Sequence, residues 1–225
     1  MSKPSGFTAP VQERSARTLR LMVGAARDAL ETTRFDELTL AELTRRAGVT
    51  VGAFYQRFPT KDALLDYLER EAYREIGESS ATLFAAPMAE PAPSMRRLLR
   101  TFVAGMAALY REHRGVLREL VQRSRSSGAR QQRRMDMTRG VVEGAVEWML
   151  RTGGPVNHAE PRRALGVALL FTTSALRDVV LFEETWAGTG SEADVDGLVD
   201  ELVRAAEAYL GLTVDERVDA EPGAD

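Results

Sequence analysis

Apolar residues return at spacings of three and four along most of the chain, the mark of amphipathic helices rather than strands. Leu19, Met22, Val23, Ala26 and Leu30 form one such stripe and predict a first helix over about 15–33. Thr39 opens a short second helix, and Glu42 three residues on completes a capping box. Leu40 and Leu43 face inward, and the helix stops at Ala47-Gly48. Thr50 caps a very short third helix ending near Arg57. Pro59-Thr60 leads into a fourth at Lys61, striped by Leu64, Leu65, Leu68, Ala72 and Ile76. Pro87, Pro91 and Pro93 mark a linker. Ser94 is placed to cap a fifth helix with Leu98, Leu99, Phe102, Val103, Met106 and Tyr110. A turn at His113–Gly115 leads to a sixth with Val116, Leu117, Leu120 and Val121, broken at Ser126-Ser127-Gly128. A seventh runs to about Thr152 and stops at Gly153-Gly154-Pro155. Pro161 suits the first turn of an eighth over about 161–186. Ser191 caps a ninth over about 192–210, closed by Gly211. No stretch alternates as a strand does and no segment repeats, so the expected fold class is all-α with about nine helices.

Composition narrows the chemistry. The 225 residues are 44% apolar and 28% charged, enough chain to bury a core without staples. Cysteine is absent, and His113 and His158 are the only histidines. Disulfide scaffolds, thiolate zinc sites, iron–sulfur clusters, cysteine nucleophiles and histidine-rich metal sites are thereby excluded, and no cofactor or metal is expected. No run approaches the roughly 20 apolar residues that span a bilayer, and the first residues lack a signal-peptide core. The expectation is a soluble, cytoplasmic protein with no membrane partner, disordered over 1–12 and 213–225. The net charge of −3 hides a gradient: residues 1–60 carry nine Lys/Arg against six Asp/Glu, and the rest 21 against 27. A basic head on an acidic body suggests that the head meets an anion.

Thr39–Phe58 carries the clearest chemistry. Two short helices joined by Ala47-Gly48-Val49 make a helix-turn-helix, because glycine admits the sharp positive-φ turn between them. Thr50 offers a hydroxyl, Gly52 a close backbone approach, and Ala53 a methyl that suits thymine. Tyr55, Gln56 and Arg57 add a phenol, an amide and a guanidinium, and Lys61 a cation at the mouth of the next helix. Tyr55 and Lys61 suit phosphate; Gln56 and Ala53 suit base edges. Phe54 and Phe58 read as core, with Tyr55 facing elsewhere.

From Thr39 to Leu64 the chain reads T-L-x-x-L-x-x-x-A-G-V-T-x-G-A-F-Y-x-x-F-x-x-K-x-x-L. This resembles the DNA-binding domain of TetR/AcrR-type transcriptional regulators. The resemblance covers about 16–76 by motif; the remainder matches only in the number and length of its helices. It implies a DNA-binding domain over 16–76 with its motif at 39–58, and a helical ligand-binding and dimerisation domain over 77–212. It further implies a homodimer on a palindromic operator in double-stranded DNA, mostly a repressor until a small-molecule effector enters the body. The DNA-binding candidates are then Thr39, Thr50, Val51, Gly52, Ala53, Tyr55, Gln56, Arg57 and Lys61. Three residues depart from the pattern. Arg34 stands where the family commonly has Gly, and is either plain surface or a phosphate contact. Thr44 stands where Ala is frequent. Val51 replaces a basic or polar residue, and either touches a thymine methyl or covers the helix junction.

The body holds weaker signals. The eighth helix is apolar nearly all round, and the ninth carries a wide stripe. Leu169, Leu176, Val180, Val195, Leu198, Val199 and Leu202 either close the monomer core or, as the resemblance implies, form the dimer interface. Residues 111–134 hold eight arginines against Glu112 and Glu119, either an anion site or a solvated face. Phe102, Met106, Tyr110, Leu117, Val121, Met135, Met137, Trp148, Phe171 and Thr172 suit a cavity between helices five to eight, with His113, Gln122 and Thr173 as polar neighbours. His113, beside a helix end, reads as a cap or surface residue. The expected ligand is drug-sized and mostly apolar, with an anionic group drawn to arginines such as Arg118.

A helical enzyme is the rival reading. The chain has no Gly-rich phosphate loop, no H-E-x-x-H and no nucleophile elbow. Its acidic pair Glu183-Glu184 points to two sides of a helix. A regulator without an effector, or an activator, shares every feature above.

Overall fold

The computed structural model describes residues 9–85, 93–125, 127–182 and 195–212, with side chains from residue 15 onward. Among these residues there are nine helices and no strand: α1 (Ala9–Thr32), α2 (Leu40–Ala47), α3 (Val51–Tyr55), α4 (Lys61–Ala85), α5 (Met95–Glu112), α6 (Arg114–Ser124), α7 (Gly128–Thr152), α8 (Pro161–Phe182) and α9 (Val195–Tyr209). α1 begins six residues before the expected start, with Pro10 in its first turn, where the missing N–H costs nothing. The expectations at residues 1–8, Pro87, Pro91, Ser126, 183–194 and 213–225 lie outside the described residues. Two compact units emerge, one from 1–77 and 112–135, the other from 78–111 and 136–225. The division does not follow a single linear boundary at 76–77, because α6 and the first turns of α7 join the head.

In the first unit, Met22, Ala26, Ala29 and Leu30 of α1 bury one stripe, and Leu64, Leu65, Leu68, Ala72 and Ile76 of α4 another. Each fully buried leucine contributes roughly 1.5–3 kcal/mol. Phe35 and Leu38, in the turn after α1, are also fully buried. α6 meets the end of α1 at Gly115. A Cβ there would lie 2.5 Å from the Leu30 carbonyl carbon and 2.8 Å from the Glu31 nitrogen, so only glycine permits this approach. Gly115 N–H donates to Glu31 Oε1 at 3.1 Å, and the Arg118 guanidinium donates to the Leu30 carbonyl at 2.6 Å.

In the second unit, α8 is the core helix. Ala164, Leu165, Ala168, Leu169, Thr172, Thr173, Leu176, Val180 and Leu181 are all buried. Its 22 residues and a window of mean hydropathy 1.7 are long and apolar enough to cross a membrane, which corrects the expectation that no segment is. One face of α8 packs on α9, and 44% of the apolar window is buried. Gly211 takes a φ of 63° after α9, and Leu212 N–H returns to Glu207 O at 3.1 Å, closing the helix as expected. Arg96 pairs with Glu207 at 3.1 Å and Arg111 with Asp196 at 3.5 Å.

Gly115→Ala places an atom against backbone that cannot yield. It is expected to lower stability by about 1–3 kcal/mol, read as a shift in the denaturation midpoint.

Candidate nucleic-acid interface and ligand cavity

Two threonines and one glycine set the helix-turn-helix. Thr39 Oγ1 accepts the Glu42 N–H at 3.1 Å, and Thr50 Oγ1 accepts the Ala53 N–H at 3.1 Å. Both side chains satisfy donors that a helix start leaves open. Between them Gly48 adopts φ 63° and ψ 32°. Its N–H reaches Arg45 O, and Val49 N–H reaches Thr44 O at 3.0 Å, the two bonds of a Schellman close. Thr44 is buried, and its hydroxyl donates to Leu40 O at 2.9 Å. The hydroxyl is thus satisfied within α2, at the position where alanine is frequent in the family.

α3 is sorted by face. Phe54 is fully buried, with its ring centroid 5.5 Å from Phe58, as expected of core. Val51, Gly52, Tyr55, Gln56 and Arg57 are exposed, Ala53 half-buried. Val51 is 44% and Tyr55 56% exposed, so Val51 does not serve to cover the helix junction.

Lys61 behaves otherwise than its place in the motif suggests. Its ammonium donates to the carbonyls of Phe35 at 2.7 Å, Leu38 at 2.8 Å and Asp36 at 3.4 Å. It also stands 4.7 Å from the Phe35 ring centroid, and the Arg123 guanidinium 4.9 Å from the same centroid. The charge expected at the phosphate is spent on the turn between α1 and α2. Among the described side chains, the guanidinium groups of Arg20, Arg34, Arg45 and Arg57 have no hydrogen-bonding or ionic partner. Sequence reading passed over Arg20 and Arg45 in this role, although Arg20 has no acid three or four residues away and Glu42, three residues before Arg45, is held by Arg46.

Three arginines of the arginine-rich segment are committed to ion pairs with acids of the first unit, while Arg111, Arg125 and Arg133 keep exposed side chains. Arg123 pairs with Asp36 and with Asp62 at 3.2 Å, Arg130 with Asp66 at 2.6 Å, and Arg133 with Glu69 at 2.8 Å. The acids lie three and four residues apart on α4, so the pairs form a ladder along it. Beside them, burial and the Glu69 carboxylate push the Tyr73 phenol up to about 12. His113 holds the N-cap position of α6, as expected, but is not a surface group. It is 3% exposed, makes no side-chain cap bond, and stands with Nε2 3.6 Å from Glu75 Oε2. Glu75 accepts both bonds of Arg27, at 3.0 and 3.1 Å.

In the second unit a cavity of about 340 Å³ lies between the C-terminal half of α4 and α5. It is lined by Ser79, Ser80, Leu83, Phe84, Thr101, Phe102, Gly105, Met106, Ala108 and Leu109. Of the residues expected around a pocket, Phe102 and Met106 are here; Tyr110, Leu117, Arg118, Val121, Trp148, Phe171 and Thr172 are not. Leu117, Arg118 and Val121 belong to the first unit. Met135 is exposed. The hydroxyls of Thr172 and Thr173 donate to carbonyls of their own helix, Ala168 at 2.9 Å and Leu169 at 2.6 Å. A readable signal existed: Ser80, Leu83 and Phe84 face Thr101, Gly105 and Ala108, large against small at helical spacing. Leu169, Leu176, Val180, Val195 and Val199 are buried in the unit's own core, and Leu198 and Leu202 half-buried. The large exposed apolar side chains of α8 are Val167, at 40%, and Leu170, at 54%.

Residues 23–68 match the family model described as bacterial regulatory proteins, tetR family. No curated protein matches. Among solved structures the chain is similar to Salmonella enterica GusR, with 15% identity, TM-score 0.60 and coverage of 91% of this chain and 98% of that one. It is also similar to a TetR transcription regulator from Haloarcula marismortui, with 13% identity, TM-score 0.61 and coverage of 87% and 97%. A bacterial regulatory protein in the tetR family from Rhodococcus RHA1 matches at 19% identity and TM-score 0.59, covering 84% and 96%. Residues 23–68, which hold the helix-turn-helix, are thus similar to the tetR family, and the chain shares the fold of these solved structures.

Losing Lys61 leaves three carbonyls without their shared donor. Lys61→Ala is expected to destabilise the protein by about 1.5–3 kcal/mol, the range for bonds to a charged group, measured by chemical denaturation with helical circular dichroism.

Proposed function

We propose that this protein is a homodimeric, DNA-binding transcriptional regulator of the cytoplasm, a repressor released from a palindromic operator by a small, mostly apolar ligand. The observation that carries the reading is α3, with Phe54 held in the core and Val51, Gly52, Tyr55 and Gln56 turned outward. Such a helix offers side chains to a major groove without disturbing its own anchorage. Gln56 and Ala53 read base edges, and Tyr55 with the unpaired Arg45 and Arg57 holds phosphate. Thr39 and Thr50 fix the two helix starts through their caps. Lys61 acts at one remove, by setting the turn that positions α2.

Dimerisation is assigned to the outer faces of α8 and α9. Val167 and Leu170 are already exposed there, and a two-fold mate would cover them. Ligand entry beside α4 would reorient the head that α4 opens, spoiling the match to two half-sites.

In gel shifts on DNA from the protein's own upstream region, Arg57→Ala is expected to weaken binding and lower the salt slope by about one unit. Lys61→Ala weakens binding without changing the slope. A Lys61→Ala slope that falls as far as that of Arg57→Ala would return Lys61 to the phosphate. Failure of the wild type to shift any upstream fragment would sink the reading. Leu170→Glu puts a charge on a face already exposed, so it is expected to give a folded monomer by light scattering. An unchanged dimer would exclude this face.

A further inference from the structure

Where α4 meets the start of α7, the first unit carries more cation than acid. Asp66, Glu69 and Tyr73 succeed one another on α4 at spacings of three and four. Arg130, with Arg133 and Arg134 three and four residues on, shares one face of α7. Arg130 pairs with Asp66 and Arg133 with Glu69. Arg134 has no ionic partner, and no acid lies three or four residues from it on its own helix. Tyr73 stands where a further carboxylate would continue the ladder. We propose that this end of the ladder is a binding site for a phosphate group, held by Arg134, Arg130 and the Tyr73 hydroxyl. The site lies within the first unit, apart from the α4–α5 cavity, and does not rest on the proposed function.

Donors without acceptors mark the site. Arg130 Nη1 and Arg134 Nε are both shielded from solvent, and neither has a hydrogen-bonding partner. The Tyr73 hydroxyl likewise makes no hydrogen bond among the described residues. A buried donor left open forfeits its hydration, and a charged one forfeits most. The charges of Arg134, Arg133 and Arg130 all act on the Tyr73 phenol and draw its pKa down, but burial and the Glu69 carboxylate outweigh them and push it up to about 12. The hydroxyl therefore keeps its proton at neutral pH and is available to donate.

This donor set selects the occupant. Three guanidinium charges face two carboxylates, each already engaged by an arginine, so one positive charge is left over. A cation would add to that surplus. A phosphate group brings the opposite charge and several acceptor oxygens, which can meet donors arriving from two helices, and guanidinium is well matched to it. A glutamate at position 73 would make the last rung permanent. Tyrosine with an exchangeable anion makes it conditional, so α7 is fully secured to α4 only when the anion is present.

The test is thermal unfolding of the full chain, followed by helical circular dichroism, in sodium phosphate against sodium chloride at equal ionic strength and neutral pH. Phosphate is expected to raise the midpoint saturably, by about 3–6 °C at ten times its dissociation constant. Arg134→Leu is expected to melt no lower than the wild type in chloride and to gain nothing from phosphate. Tyr73→Glu supplies the missing rung within the chain; it is expected to melt higher in chloride and to lose the phosphate effect. Arg97→Leu, at an exposed arginine of the second unit, is expected to keep that effect in full. Glycerol phosphate in a parallel titration separates two sources: tighter binding than inorganic phosphate assigns the site to a phosphate monoester, and equal or weaker binding assigns it to the free ion. An equal midpoint for the wild type in phosphate and chloride, or a full phosphate effect in folded Arg134→Leu and Tyr73→Glu, overturns the proposal. In gel shifts Arg134→Leu is expected to keep the wild-type salt slope; a slope lower by about one unit makes Arg134 a DNA contact and overturns the proposal as well. If no DNA is shifted by any variant, the proposed function fails while the outcome of the phosphate titration stands.

Discussion

The end of α1 and the turn that follows it leave backbone carbonyls that no later turn of helix can satisfy, and side chains of α4 and α6 supply their donors. Arg118 of α6 serves Leu30; Lys61 at the start of α4 serves Phe35, Asp36 and Leu38. Three helices thus converge on one turn, and Gly115 lets α6 come close enough to contribute. Phe35, buried beneath two cations, fills the space that the carbonyls surround. Unsatisfied carbonyls would each cost as much as a lost hydrogen bond, so the geometry leading into α2 is fixed by chemistry distant from the helix-turn-helix itself.

The ion-pair ladder extends the same arrangement along α4. Asp62, Asp66 and Glu69 hold arginines from α6 and α7. Most of these pairs are partly solvated, and each contributes little alone. Their value lies in registration, since opposite charges at successive turns accept only one sliding position of the helices. The apolar stripes make the contact adhesive, and the charges specify where it settles.

Helix order was legible in the sequence because caps and breakers act locally. Thr39, Gly48, Thr50, Thr60 and Gly211 each work within a few residues of their own position, and each stands at a helix end. The face of Phe54 was legible for the same reason: one residue of a five-residue helix must point inward. Lys61 was misplaced because its partners lie 23 to 26 residues away, and nothing in local spacing distinguishes a cation facing a phosphate from one facing a carbonyl. The arginine ladder was hidden likewise, its partners being about 60 residues distant. The cavity was expected deeper in the body because methionines and aromatics marked it; glycine and serine, which make space by omission, leave a fainter trace.

α3 is attached through little more than Phe54, the Thr50 cap and the bonds of its own short turn. Of its exposed side chains, Tyr55 alone rests on one of these, its ring centroid 5.7 Å from that of Phe54; Val51 and Gln56 are turned away to solvent. Letters on that face can be exchanged without the fold registering the change, and the fold can drift without altering the letters. A chain built this way can acquire a new address in a genome by substitutions that selection on stability does not see, which allows one architecture to serve many unrelated control points.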